Sequence, residues 1–300
     1  MHKVIILLFI LTSCSNNHKV FVKNLITETK HIKETEEKAN FIAHKLLSKP
    51  YISNPLGDGK NAKYNQKPIY RTDGFDCLTF IEFVSSLSLA HNLQDFEKIM
   101  LDLKYKNSDK PSFINRNHFT SIDWQENNIN KEYFYNLNNN LNAEISFLKK
   151  NIDKKSWYRK QKINSIFRPN LTQEEKKDLL QDLQNEGKNM KITQINYPFI
   201  SKEFILSSNF KLISKNFPNT FLIFIVKDNN LKNIIGTDLI ITHTGIGIKE
   251  NEEIYLIHAS TESKKIEKIK LTKYFAKYKN INKEIGVSFL AFNLSKATNH

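Results

Sequence analysis

Residues 71–84 read RTDGFDCLTFIEFV. A turn, an aspartate, a cysteine and a dense apolar run follow one another, and this stretch decides where the helical half of the chain is built. Thr72-Asp73-Gly74 is turn chemistry and Asp76 is a good N-cap, so Cys77 becomes the first residue of a helix. Leu78 to Ala90 is apolar almost all round, which marks a buried helix and not a surface one. At such a helix start, unpaired N–H groups and the helix dipole favour negative charge. Cys77 is then a candidate nucleophile. The bland alternative is a cysteine that fills the core, as free cysteines commonly do.

On the N-terminal side, Ala39, Ile42, Ala43, Leu46 and Leu47 recur at helical spacing from Glu34 to Ser48, and Lys49-Pro50 ends that helix. The Gly/Pro/Asn-rich stretch 51–68 has no period and reads as a loop. On the C-terminal side, Leu93, Phe96, Met100 and Leu103 mark one face of a helix from Asn92 to about Tyr105. Residues 107–170 have a mixed pattern, with one dense cluster, RNHFTSIDW, at 116–124. Thr172 to Glu175 fits a capping box, followed by Leu179, Leu180 and Leu183, with Gly187 as the stop.

The last third changes character. TFLIFIVKD, DLIITHTGIGIK, EIYLIHAS, KIEKIKL and IGVSFLAFN are short runs of Ile, Leu, Val and Phe between polar turns. They predict an antiparallel sheet of about five strands. Helices first and strands later make an α+β chain. No internal repeat and no Pro- or Gly/Ser-rich linker divides it, so residues 34–300 read as one domain.

The chain has 300 residues, 40% of them hydrophobic, with 21 Phe and 11 Tyr, enough for a real core. Its formal net charge is +14, but the lysines are scattered. That pattern is a basic solvated surface and not a nucleic-acid footprint, and no nucleic-acid-binding motif is present. The first residues, MHKVIILLFILTSC, place a lysine before a short apolar run from Val4 to Leu11. The run is too short for a permanent span, which needs about 20 residues, and has the layout of an export signal. Leu11-Thr12-Ser13-Cys14 resembles a bacterial lipobox. This resemblance implies a signal peptide over 1–13, acylation of Cys14, and a polar tether over 14–33. With Ser15 next, it also implies an outer-membrane destination facing the periplasm.

The chain holds only two cysteines. If Cys14 carries lipid, Cys77 has no disulfide partner within the chain. One cysteine without Cys-x-x-Cys or His-x-His spacing also cannot build a structural zinc site, so no metal and no cofactor are expected. A nucleophilic thiol needs a histidine within reach. Of nine histidines, only His243 and His258 fall inside predicted strands. Leu239, Ile241, His243, Gly245 and Gly247 alternate onto one face, and the glycines leave room for a close approach, for which the Cys77 helix is a candidate. Ile254, Leu256 and His258 share a face of the next strand, joined by a short hairpin, so His258 can orient His243. Taken singly, each histidine could equally be packed structure.

FDCLTFIEFV, then HTGIGI, then IHAS, resembles the NlpC/P60 superfamily of papain-like cell-wall cysteine hydrolases. PYISNPLGDG, RTDGFDCLTFIE, RNHFTSIDW and HTGIGI together are similar to its DUF1460 subfamily, whose members resemble N-acetylmuramoyl-L-alanine amidases. The resemblance implies a papain-like fold with Cys77 as nucleophile, His243 as general base and then acid, and His258 as the orienting residue. It also implies Tyr51 beside the nucleophile, shaping the oxyanion site, and Asp76 as the residue before it. The implied substrate is peptidoglycan or soluble muropeptides, cut between N-acetylmuramic acid and L-alanine. A γ-D-glutamyl-diamino-acid endopeptidase on the same scaffold and a non-catalytic cell-wall-binding lipoprotein remain as alternatives. The chain is expected to act as a monomer. Thr244 departs from the family's usual valine or alanine, and residues 135–190 look longer and more charged than the family pattern.

Overall fold

The computed structural model describes the backbone of residues 2–281 and 283–294, and side chains from residue 16 within that range. Four helices come first: α1 (His2–Thr29), α2 (Thr35–Lys45), α3 (Cys77–Leu89) and α4 (Leu93–Lys104). Asp76 accepts from the Thr79 N–H at 2.8 Å, and the Thr79 hydroxyl accepts from the Asp76 N–H, a reciprocal capping box that starts α3 at Cys77. The Asn92 side chain caps α4 in the same way, through the Asp95 N–H.

The sheet is larger than the sequence pattern predicts. It has eight strands, all paired antiparallel: β1 (Phe134–Asn136), β2 (Ser146–Asp153), β3 (Ile192–Ser201), β4 (Thr220–Lys227), β5 (Ile241–Glu250), β6 (Glu253–Ala259), β7 (Ile266–Lys270) and β8 (Glu284–Phe292). The order is β2-β3-β8-β4-β5-β6-β7, with β1 also paired to β8. The five predicted strands are β4 to β8. Of the three additional ones, β1 and β2 come from the mixed stretch 107–170 and β3 from the segment after Gly187. β2 alternates between half-buried and exposed positions over most of its length and carries two lysines and an aspartate among its last five residues, so its composition gives no strand signal.

β4 shows why this half reads as continuous apolar runs. Leu222, Phe224 and Val226 face the helical layer, whereas Phe221, Ile223 and Ile225 face a second core with Phe217, Leu271 and Phe275. A strand covered on both faces has no polar side. α3 lies in the first of these cores and is buried along nearly its whole length. The mixed region also supplies α5 (Gln125–Asn130) and α6 (Lys154–Arg159), and α7 (Gln173–Glu186) follows it with the expected Thr172–Glu175 capping box.

The segment expected as a tether is helical from residue 16 to Thr29. Val22 and Leu25 are buried, and His18 Nδ1 lies 2.9 Å from the Thr72 hydroxyl in the turn before Cys77. Apolar residues spaced three apart in a polar stretch are enough to dock one helical face, a signal too sparse to register in composition. The expected signal peptide 1–13 and Cys14 lie outside the described side chains. Among the described residues, no helix is long and apolar enough to cross a membrane.

Candidate active site

Cys77 is the first residue of α3 and is a free cysteine. α3 packs on β5, and the Thr244 hydroxyl, one residue after His243, donates to the Cys77 carbonyl at 2.8 Å. The threonine that departs from the family pattern thus pins the helix start to the strand carrying the histidine. A valine there would pack but could not donate.

His243 and His258 meet directly, with 2.7 Å between Nε2 of His243 and Nδ1 of His258 and the rings edge to face. Strand pairing explains the contact. β5 and β6 turn through Asn251 and Glu252, both at positive φ, which is the two-residue hairpin suited to the sheet twist. Ile246 pairs with Ile257, so continuing the ladder sets His258 across from Gly245 and diagonal to His243.

The glycines serve a different neighbour from the one predicted. A Cβ on Gly245 would lie 2.5 Å from the Ile257 carbonyl, 2.5 Å from Leu256 and 3.1 Å from the His258 Cβ, and one on Gly247 would strike the Phe221 ring. They admit β6 and Phe221, on the face opposite α3. The expected alternation also shifts, because Val226 pairs with Ile241 while Ile225 pairs with His243, skipping Thr242. Ile241 therefore joins the helical side with Ile246 and Ile248, and His243 does not share its face. We expect Gly245→Ala to cost about 1–3 kcal/mol of stability through overpacking and to move the His258 ring. Urea melts together with histidine NMR shifts would check this, and an unchanged His258 environment would be the contrary result.

Tyr51 is half-buried, and its neighbour Ile52 bonds through its N–H to the Phe75 carbonyl at 2.9 Å, so Tyr51 runs beside the chain leading into Cys77. Burial raises its phenol pKa, and the nearby Cys77 and Asp76 raise it further. The cap residue Asp76 also has its carboxyl raised, by burial against the opposing Thr79 bonds.

The electrostatics reverse one expectation. A helix start favours the thiolate and would lower the thiol pKa. Burial, followed by the charge of Asp76, instead pushes the Cys77 thiol up to about 12, although donors from Thr244 and the Leu78 N–H act the other way. A helix N-terminus is worth only about 0.3–1 kcal/mol to an anion, less than one pKa unit, so burial outweighs it. Burial, with His258 and Lys227, lowers His243 to about 3; burial, with Lys277, lowers His258 to about 4. These shifts leave the thiol and both imidazoles neutral at rest. Among the described residues, no hydrogen bond joins the Cys77 sulfur to His243.

A pH prediction follows. A raised thiol pKa leaves the thiolate a minor species that grows about tenfold per pH unit below that pKa. The rate of iodoacetamide labelling at Cys77 should therefore climb steadily from pH 7 to pH 10. A rate that is flat over that window would mean a preformed thiolate–imidazolium pair.

Two residues of this site carried no sequence signal. Tyr274, from the short helix Leu271–Ala276, lies nearly parallel to His243 and edge-on to His258, with centroids 6.1 Å and 5.7 Å away. Glu267 on β7 pairs in register with His258. Behind α3, the RNHFTSIDW cluster supplies structural bonds. Arg116 pairs with Asp58 of the GDG loop, and Trp124 Nε1 donates to the buried Glu82 of α3 at 3.1 Å. Among the described residues, no group of three or more His, Cys, Asp or Glu side chains could hold a metal ion.

The profile of the AmiA-like family, described as N-acetylmuramoyl-L-alanine amidase-like, matches residues 41–281. The chain belongs to this family. A crystal structure of a Legionella pneumophila protein of family DUF1460 is similar over 94% of this chain and 96% of its own, with 29% identity and a TM-score of 0.88. An N-acetylmuramoyl-L-alanine amidase from Bacteroides uniformis superposes with a TM-score of 0.58 at 17% identity, over 86% of this chain and 99% of its own. At that identity the likeness shows the fold alone. No curated protein matches the chain. Membership makes this an amidase-like hydrolase, acting on a substrate of peptidoglycan origin as the family name suggests.

Proposed function

We propose that the chain is a papain-like cysteine amidase of the NlpC/P60 type, which cuts the amide between N-acetylmuramic acid and L-alanine in peptidoglycan or its soluble fragments. The observation that carries the reading is the 2.7 Å contact between His243 Nε2 and His258 Nδ1. It occupies one ring nitrogen of His243 and leaves Nδ1 free for a thiol, and Thr244, the next residue along the strand, holds the α3 start.

Because both groups rest neutral, the thiol proton moves to His243 Nδ1 as the sulfur attacks the amide carbonyl. N–H groups at the helix start hold the oxyanion, a contribution of about 3 kcal/mol per donor in measured cases. The His243 imidazolium then protonates the leaving amine, the C–N bond breaks, and a thioester remains on Cys77. Water, deprotonated by His243, hydrolyses the thioester and restores the thiol. Tyr51 borders this space.

Acylation of Cys14 would place the enzyme on a membrane, as a monomer held against the wall polymer. Because residues 16–29 are helix packed on the domain, such an anchor would orient the domain and not merely leash it. The +14 net charge suits a substrate rich in carboxylates.

The test is mass spectrometry of defined muropeptides after incubation with the purified protein. Release of an intact stem peptide with free N-terminal L-alanine supports the amidase. A cut between D-glutamate and the diamino acid would replace it with the endopeptidase, and no product from any muropeptide would leave a binding protein.

A further inference from the structure

We infer that Glu267 is a positioning residue that sets the tautomers of His243 and His258 in series, and so keeps the base nitrogen of His243 free for the thiol. The inference rests on the assignment of His243 as base. Its observations are geometric. β6 and β7 pair with His258 opposite Glu267, so both side chains project to one face. His258 is 4% exposed, and its Nε2 has no hydrogen-bond partner among the described residues. Glu267 Oε1 lies 3.6 Å from that nitrogen, a few tenths of an ångström beyond hydrogen-bond length.

Proton counting does the rest. Each neutral imidazole carries one N–H, and one proton lies in the 2.7 Å contact between the rings. That proton belongs either to His243 Nε2 or to His258 Nδ1. A carboxylate can only accept, so Glu267 favours the N–H on His258 Nε2. His258 Nδ1 is then bare and accepts from His243 Nε2–H, which leaves His243 Nδ1 bare and able to take the thiol proton. In the reverse arrangement His243 Nδ1 already carries its proton and cannot act as a base. The same carboxylate faces the positive charge that arrives when His243 is protonated. The other charged groups acting on the pair are Lys227, held by Glu284, and Lys277, held by Glu262; the Tyr274 ring covers both imidazoles. Nothing in the sequence marks Glu267, since the link depends on strand register.

The test is ¹⁵N NMR of histidine-labelled full-length protein, read together with muropeptide turnover. Wild type should show Nε2–H on both histidines. Glu267→Leu should lose that single state and lower kcat about 10²-fold with KM little changed, the size of a misplaced general base. Glu267→Gln, which can still present an oxygen, should recover both the tautomers and most of the rate. Glu267→Ala serves as the second apolar variant if the leucine does not fold. Unchanged tautomers and kcat in the apolar variants would overturn the inference. Because the NMR readout does not need catalysis, shifted tautomers would uphold the role of Glu267 even if Cys77→Ala proved active and the amidase mechanism failed.

Discussion

Replacing Cys77 with alanine should abolish muropeptide hydrolysis while leaving the fold in place. Cys77 is the first residue of α3, capped by Asp76 and Thr79, and none of those bonds needs the sulfur. The Thr244 bond goes to the Cys77 carbonyl, which alanine keeps. Alanine is also the better helix former. The far-UV circular dichroism should therefore match wild type, and the melting temperature should move by only a few degrees. Turnover should fall by about 10⁵–10⁶-fold, the order seen when a nucleophile is removed from a triad elsewhere. Retained hydrolysis in Cys77→Ala, with the product verified by mass, would end the cysteine mechanism.

The second large effect concerns the histidines, which should not be equivalent. His243→Ala removes the group proposed to take the thiol proton. With the thiol pKa raised by burial, little thiolate forms without that base at neutral pH. The loss should be about 10²–10⁴-fold in kcat, and raising the pH should recover part of it as the thiolate fraction grows. His258→Gln should be milder, about tenfold, because the glutamine oxygen can accept from His243 Nε2–H in place of Nδ1. A dead His258→Gln beside an active His243→Ala would reverse the two roles. Both variants should be assayed from pH 6 to pH 10, since a variant that has only lost packing would not regain activity at high pH.

Much of the fold was legible because its signals are local. The Asp76–Thr79 cap, the apolar run of α3, the Thr172–Glu175 box and the five strands β4 to β8 each announce themselves within about a dozen residues. β2 and β3 did not, because β2 carries lysines and alternates only between half-buried and exposed positions over most of its length, and β3 is exposed over its first three residues. The docked part of α1 was missed for a different reason: Val22 and Leu25, with the partly buried Phe21 and Ile26, hold one face of a short segment whose polar residues dominate its composition.

The site divides along the same line. Cys77, His243 and His258 could be singled out from the sequence because each sits at a marked place, a helix start or a strand with alternating partners. What they do to one another is a matter of distance. The 2.7 Å contact between the imidazoles, the Thr244 bond to the Cys77 carbonyl, the closeness of Tyr274 and the pairing of His258 with Glu267 all depend on register between strands far apart in the chain. A one-residue slip would send every one of those side chains to the other face. The resting protonation was out of reach for the same reason. A helix start at position 77 is a local fact and argues for a low thiol pKa, whereas desolvation is a sum over everything that packs around the sulfur and drives it up. The sequence alone picked out the candidate residues and the secondary structure that presents them. The tertiary structure decided which nitrogen faces which partner and which groups are charged, because contact and burial exist only once the sheet has closed over α3.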